Sequence, residues 1–151
     1  MIEGAAAKTY GSIEEVINEL TTRFGERLSV AHSVCERFGK DESFHPSSPP
    51  DAVVTVLSTA EVQDVVSTCA RYKVPVIPYG TGTALEGQVC ALYGGICINL
   101  QEMNQVLEVH AEDLDVVVQP GVTRKQLNTC LLYTSDAADD TPCVDLGGRR
   151  I

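Results

Sequence analysis

Two short apolar runs, residues 52–56 (AVVTV) and 74–78 (VPVIP), bracket an amphipathic stretch, and this order constrains the fold more than any other feature of the sequence. Runs of β-branched residues without polar alternation suit strands buried on both faces. Between them Ser58 and Glu61 make a capping-box signature, which predicts a helix start. Val62, Val65, Val66 and Cys69 then fall on one face, which is expected to be core rather than an interaction stripe. Strand, helix, strand within roughly 30 residues predicts a βαβ unit. Pro75 has no N–H to give a ladder, so the second strand belongs at a sheet edge or has just begun there.

Local signals place the remaining elements. Ser12 and Glu15 form another capping box, followed by Ile13, Val16, Ile17 and Leu20 at helical spacing. Residues 28–38 predict a weaker helix stopped by Gly39, and the polar, proline-rich residues 40–51 a loop and a boundary. A glycine-rich loop occupies residues 80–87, and a strand is expected at 95–100. Two more strands, at 106–110 and 115–119, are joined by a turn containing Glu112 and Asp113. Thr123 suits the N-cap of a helix running to about Leu131. The last stretch, CLLYTSDAADDTPCVDLGGRRI, carries no strand or helix period. The expected organisation is an N-terminal helical segment over 1–45, a domain over 46–132 and an unrelated tail over 133–151.

A chain of 151 residues is long enough for one domain with a real core. Its formal net charge of -10 argues against nucleic acid or an anionic membrane surface as partner. No apolar run approaches the ~20 residues of a membrane-spanning helix. The N-terminus has neither the apolar core of a secretory signal nor the arginine-rich, acid-poor character of a mitochondrial presequence. The six cysteines show no zinc-binding spacing, so they are expected to be mostly buried free thiols. Asp136, Asp139, Asp140 and Asp145 lack the spacing of a calcium loop and read as a solvated tail, so no metal site is expected.

The chemistry sits in residues 78–87, PYGTGTALEG, directly after a buried strand. Gly80 and Gly82 permit backbone geometry that other residues resist and allow a ligand to approach closely. Successive N–H groups in such a turn can form an anion nest, and Thr81 and Thr83 add hydroxyl donors. The loop lacks the Gly-Lys-Ser/Thr of a phosphate-binding P-loop, and Leu85 stands where a dinucleotide fingerprint needs its third glycine. No Lys or Arg occurs between Lys73 and Arg124, so an anion here would be held mainly by neutral dipoles. That favours a dinucleotide pyrophosphate over a triphosphate. On pattern alone, a plain glycine-rich connection between strands accounts for the loop equally well.

Three segments carry a resemblance. VPVIPYGTGTALEGQVCALYGGICINL resembles the FAD loop of the FAD-linked oxidases that share the vanillyl-alcohol oxidase type (PCMH-type) of flavin domain. GKDESFHPSSPPDAVVTVLSTAEV and DLDVVVQPGVTRKQLN are similar to the segments before and after that loop, most of all in the cytochrome-linked mitochondrial D-lactate dehydrogenases. The resemblance implies an α+β fold: the N-terminal part of such an FAD-binding domain, a small mixed sheet with flanking helices. It implies that Gly80, Thr81, Gly82, Thr83 and Ala84 hold the pyrophosphate, that Pro78, Tyr79, Leu85, Glu86 and Gly87 complete the loop, and that Pro120, Gly121 and Val122 lie near the cofactor. No His or Cys occurs within residues 78–87, so FAD is expected to be non-covalent.

For a complete enzyme the resemblance implies oxidation of D-lactate or a related D-2-hydroxy acid, electron transfer to cytochrome c, and a mitochondrial location. The family's substrate domain and catalytic residues have no counterpart here, and the tail reads as translated vector or adaptor sequence, so no catalytic residue is assigned. The alternatives are a glycolate oxidase or D-2-hydroxyglutarate dehydrogenase relative, or a catalytically inactive fragment. Glu86 is expected to brace the loop, and His45 and His110 to be surface residues. Tyr79 either packs beside the cofactor or caps its strand.

Overall fold

A computed structural model of the chain describes residues 12–135. In order the elements are α1 (Ile13–Phe24), β1 (Leu28–Ser29), α2 (His32–Phe38), β2 (Ala52–Thr55), α3 (Thr59–Arg71), β3 (Val76–Tyr79), β4 (Ile96–Asn99), β5 (Val106–His110), β6 (Asp115–Val118) and α4 (Arg124–Ser135). They divide between two compact units, Met1–Leu100 and Gln101–Ile151.

The first unit is built on a mixed sheet in the order β1-β2-β4-β3. β2 and β3 both run parallel to β4, with Cys97 opposite Val53 on one side and Ile77 on the other, while β1 is antiparallel to β2. The βαβ unit is therefore present but split, because β4 inserts between its two strands. All of β4 is buried, as a central strand requires, and its one polar side chain, Asn99, donates to Thr55 Oγ1 at 3.2 Å. β3 lies at the edge, as Pro75 suggested, and Pro78 is exposed there.

One face of the sheet packs on α2, where Cys35 and Phe38 join Val53, Cys97, Tyr79 and Val89 in a single apolar cluster. α3 packs on β4, and α1 on α3. Val16, Leu20 and Phe24 of α1 and Val65 and Cys69 of α3 are the buried apolar positions. Each fully buried Val or Leu stabilises by roughly 1.5–3 kcal/mol. Val66 departs from the expected stripe: it is 43% exposed, and Thr68 takes the buried place beside Cys69. The stripe is thus narrower than the valine pattern suggested.

The caps form where their side chains can reach. Ser12 Oγ accepts the Glu15 N–H at 3.3 Å, Ser58 Oγ the Glu61 N–H at 3.3 Å, and Thr123 Oγ1 the Gln126 N–H at 3.2 Å. The second half of the Ser58 box is different. Glu61 accepts the Leu57 N–H at 2.8 Å and both guanidinium arms of Arg27, at 2.7 and 2.8 Å. This bidentate pair ties the turn before β1 to the start of α3.

Residues 28–38 do not form one helix. Leu28 and Ser29 pair with Val54 and Val53 as an edge strand, and the helix begins only at His32. Long-range pairing here overrides a weak local preference. Gly39 does end α2, but with φ -102 rather than a left-handed turn. A Cβ there would come within 2.6 Å of the Ser48 carbonyl oxygen, so close approach of the following loop explains the glycine. Helix α4 continues to Ser135, past the expected end near Leu131, since extending a helix already nucleated and capped costs little. Cys35, Cys69, Cys90 and Cys97 are buried free thiols, and Cys130 is buried. Cys143 and the aspartates of the tail lie outside the described residues.

In the second unit β5 and β6 form an antiparallel hairpin with an irregularity between Val106 and Glu108. Its turn lies where Glu112 and Asp113 predicted. Among the described residues no helix is long and apolar enough to cross a membrane.

Candidate functional site

Residues 80–87 leave β3 at its C-terminal end, on the connection to the central strand β4. Tyr79, the last residue of β3, anchors this departure. Its carbonyl accepts the Leu100 N–H at 2.9 Å, and its ring, 8% exposed, meets Phe38 edge-on at 4.5 Å. Gly82 passes directly over that ring: a Cβ there would lie 2.6 Å from Tyr79 Cζ and closer still to the hydroxyl. Tyr79 is therefore a packed support beneath the loop. Gly82 has φ +70 and Gly87 φ +72, both in the region that favours glycine, whereas Gly80 takes no positive φ. The glycine requirement thus falls on Gly82 and Gly87 rather than on Gly80 and Gly82.

The donors of the loop are arranged unevenly. Among the described residues, the main-chain N–H groups of residues 81–86 make no hydrogen bond to the protein. Gly87 ends that run, its N–H donating to Asp41 Oδ2 at 3.0 Å. Thr81 and Thr83 share a hydroxyl–hydroxyl bond of 3.1 Å and are exposed, as are Leu85 and Glu86. A left-handed residue inside a run of free amides is the arrangement that makes an anion-binding concavity. Glu86, expected to brace the loop, is exposed, and the Gly87 N–H is taken by Asp41.

Asp41 is 7% exposed, and its other oxygen accepts the Ser43 N–H at 3.0 Å. The hydrogen bond with Ser43 holds its carboxyl below the usual carboxylate range, with the Gly87 N–H and the nearby His45 acting in the same direction. His45 is exposed, as expected, but it also adjoins the loop: a Cβ on Gly87 would lie 2.5 Å from its Cδ2. The strip continues with Ala91 N–H donating to the Ser48 carbonyl at 2.8 Å. Residues 41–48 thus run alongside 87–91. Sequence reasoning missed Asp41 and the place of His45; the signal available was Asp41-Glu42-Ser43, the pattern of an Asx turn.

Pro120, Gly121 and Val122 belong to the second unit, between β6 and α4. The N–H of Gly121 donates to Met103 O at 2.8 Å and that of Val122 to Gln119 O at 3.1 Å, so these amides are committed to the fold. Among the described residues no group of three or more His, Cys, Asp or Glu could hold a metal.

Residues 50–147 match the sequence family described as FAD binding domain. The chain belongs to this FAD-binding family. It is 48% identical over 130 residues to a probable mitochondrial D-lactate dehydrogenase of Danio rerio, covering 85% of this chain and 26% of the relative. It is 38% identical over 120 residues to the mitochondrial D-lactate dehydrogenase [cytochrome] of Arabidopsis thaliana, covering 78% of this chain and 21% of the relative. Glycolate oxidase subunit GlcD of Bacillus subtilis is 41% identical over 75 residues, covering 50% of this chain and 16% of that protein. The chain therefore spans about a quarter of the length of the first two. Among solved structures, p-cresol methylhydroxylase superposes with a TM-score of 0.69 at 21% identity, over 81% of this chain and 25% of that one. The fold is that of a vanillyl-alcohol oxidase type FAD-binding domain. The residues present suit such a cofactor: a left-handed glycine over a packed tyrosine and a run of free amides leave room and donors for a diphosphate.

Proposed function

We propose that residues 80–86 bind the pyrophosphate of a non-covalent FAD, and that this chain is the first part of the flavin domain of an oxidoreductase acting on D-lactate or a related D-2-hydroxy acid. The free amides of residues 81–86 are the observation that carries this reading. They would donate to the diphosphate oxygens, the Thr81 and Thr83 hydroxyls would add further donors, and Gly82 would let the backbone approach. Pro78, Tyr79, Leu85, Glu86 and Gly87 would complete the loop. Pro120, Gly121 and Val122 would lie near the cofactor. FAD, when bound, would supply the acceptor for the hydride of the 2-hydroxy acid. The substrate assignment rests on the names of the D-lactate dehydrogenases that the chain resembles. Those names also support a mitochondrial location and cytochrome c as the electron acceptor of a complete enzyme.

Titration of the purified chain with FAD tests the cofactor. Saturable quenching of flavin fluorescence is expected, with release of intact FAD on denaturation. Failure to take up FAD, or flavin that stays attached through denaturation, would count against it. Residues 46–132 are assigned to the flavin domain and 133–151 to an unrelated tail, so deletion of 136–151 should leave the urea midpoint unchanged. A lower midpoint would assign those residues to the domain, in keeping with a family match that runs to residue 147.

With no catalytic base assigned in this chain, D-lactate should give no dye reduction. Turnover by the 151 residues alone would overturn that part.

A further inference from the structure

We propose that Asp41 is a positioning residue for the cofactor loop, fixing the end of the amide run by accepting the Gly87 N–H. The inference deepens the FAD reading and rests on it. Its basis is a connection spanning 46 residues of sequence: a carboxylate only 7% exposed, with one oxygen on Gly87 N–H and the other on Ser43 N–H, both at 3.0 Å. Ser43 N–H fixes the rotation of the carboxylate, and so aims its second oxygen at the loop. An ionised carboxylate has no proton to offer a phosphate, so Asp41 is unsuited to be a direct ligand. Its effect must pass through the backbone. Gly87 sits at φ +72 with the His45 ring against it, and the wide conformational freedom of glycine leaves that geometry to be fixed by its partners. Without Asp41 that N–H loses its acceptor and the amides before it gain freedom, which an incoming diphosphate would have to remove again.

The test compares wild type, Asp41→Ala, Asp41→Asn and Glu61→Ala by FAD titration, urea unfolding and amide hydrogen exchange. Glu61→Ala destabilises the same unit without touching the loop, because Glu61 binds Arg27 and Leu57. Asp41→Ala is expected to weaken FAD binding by roughly tenfold, and Asp41→Asn, which keeps one carbonyl acceptor, by less. Glu61→Ala should leave the affinity within about twofold, the effect of an isolated surface-type pair being small. Exchange in Asp41→Ala should rise at Gly87, the bonded amide that ends the run, and stay unchanged in β2 and β4. Unaltered FAD affinity in Asp41→Ala, with wild type binding normally, would overturn the proposal and leave the cofactor assignment standing. Faster exchange spread evenly over the unit would also overturn it, by making Asp41 general structural support. If wild type took up no FAD, the cofactor assignment and the role of Asp41 toward it would both fall. Exchange at Gly87 would then still decide whether Asp41 holds the loop.

Discussion

Replacing Gly82 with alanine should damage the loop through two separable effects. The first is conformational: φ +70 costs an L-residue about 1–2 kcal/mol relative to glycine. The second is steric. The new Cβ would lie 2.6 Å from Tyr79 Cζ, and the ring cannot easily withdraw, because it is 8% exposed and held edge-on against Phe38 at 4.5 Å. Forcing a methyl group into such a packed place costs about 1–3 kcal/mol. The total is about 3 kcal/mol, and only the steric part depends on the tyrosine. A double-mutant cycle separates them. Urea unfolding of Gly82→Ala should show the full loss, and Gly82→Ala in a Tyr79→Leu background only about 1–2 kcal/mol, because leucine has no atoms at the Cζ and hydroxyl positions. Equal costs in the two backgrounds would refute the claim that the ring dictates glycine at position 82.

Three further outcomes follow from the electrostatics and packing. Arg27 holds the Glu61 carboxyl below its usual range, so the stability that Glu61 contributes is complete above the unfolded value of about 4.3 and lost as the pH falls through the lower folded value. Glu61→Ala should cost about 1 kcal/mol at pH 7, after allowance for partial exposure, and flatten the acid limb of a urea-midpoint profile. His110 is held above its ordinary range, chiefly by its hydrogen bond with Asp115 and also by Glu108, so its contribution is full below about pH 6.5 and disappears as pH rises through the raised folded value. An NMR titration of its ring should show this elevation, and Asp115→Asn should reduce it. Burial pushes the Cys97 thiol up to about 12 and that of Cys69 to about 11, so iodoacetamide at pH 8 should leave both unlabelled until the chain is unfolded. Native-state labelling of either would contradict the packing of β4 and α3.

What the sequence disclosed was whatever neighbouring residues decide among themselves. Ser12, Ser58 and Thr123 were legible as caps because each bonds an N–H three residues ahead. Pro75 was legible as an edge signal because its missing N–H is a property of the residue itself. The loop at residues 80–87 was recognisable by resemblance, while the conformation of its glycines was not. Features decided at a distance were hidden. The two residues of β1 exist because Val53 and Val54 offer a free edge, and the hold of Asp41 on Gly87 depends on how two loops meet. Glu61 shows both regimes at once: its backbone N–H obeys the local cap, while its carboxylate goes to Arg27, 34 residues earlier.

The insertion of β4 between β2 and β3 also bears on how the domain is assembled. As the chain leaves the ribosome, β3 emerges before the strand it pairs with among the described residues, which begins at Ile96. The arrival of one late segment completes both parallel ladders together and closes the chain between β3 and β4 into a ring. Non-local pairing of this kind is intrinsically slow, and until it happens the edges of β2 and β3 that β4 later covers are open and available to other chains. The loop thus gains its shape in the same event that removes a route to aggregation.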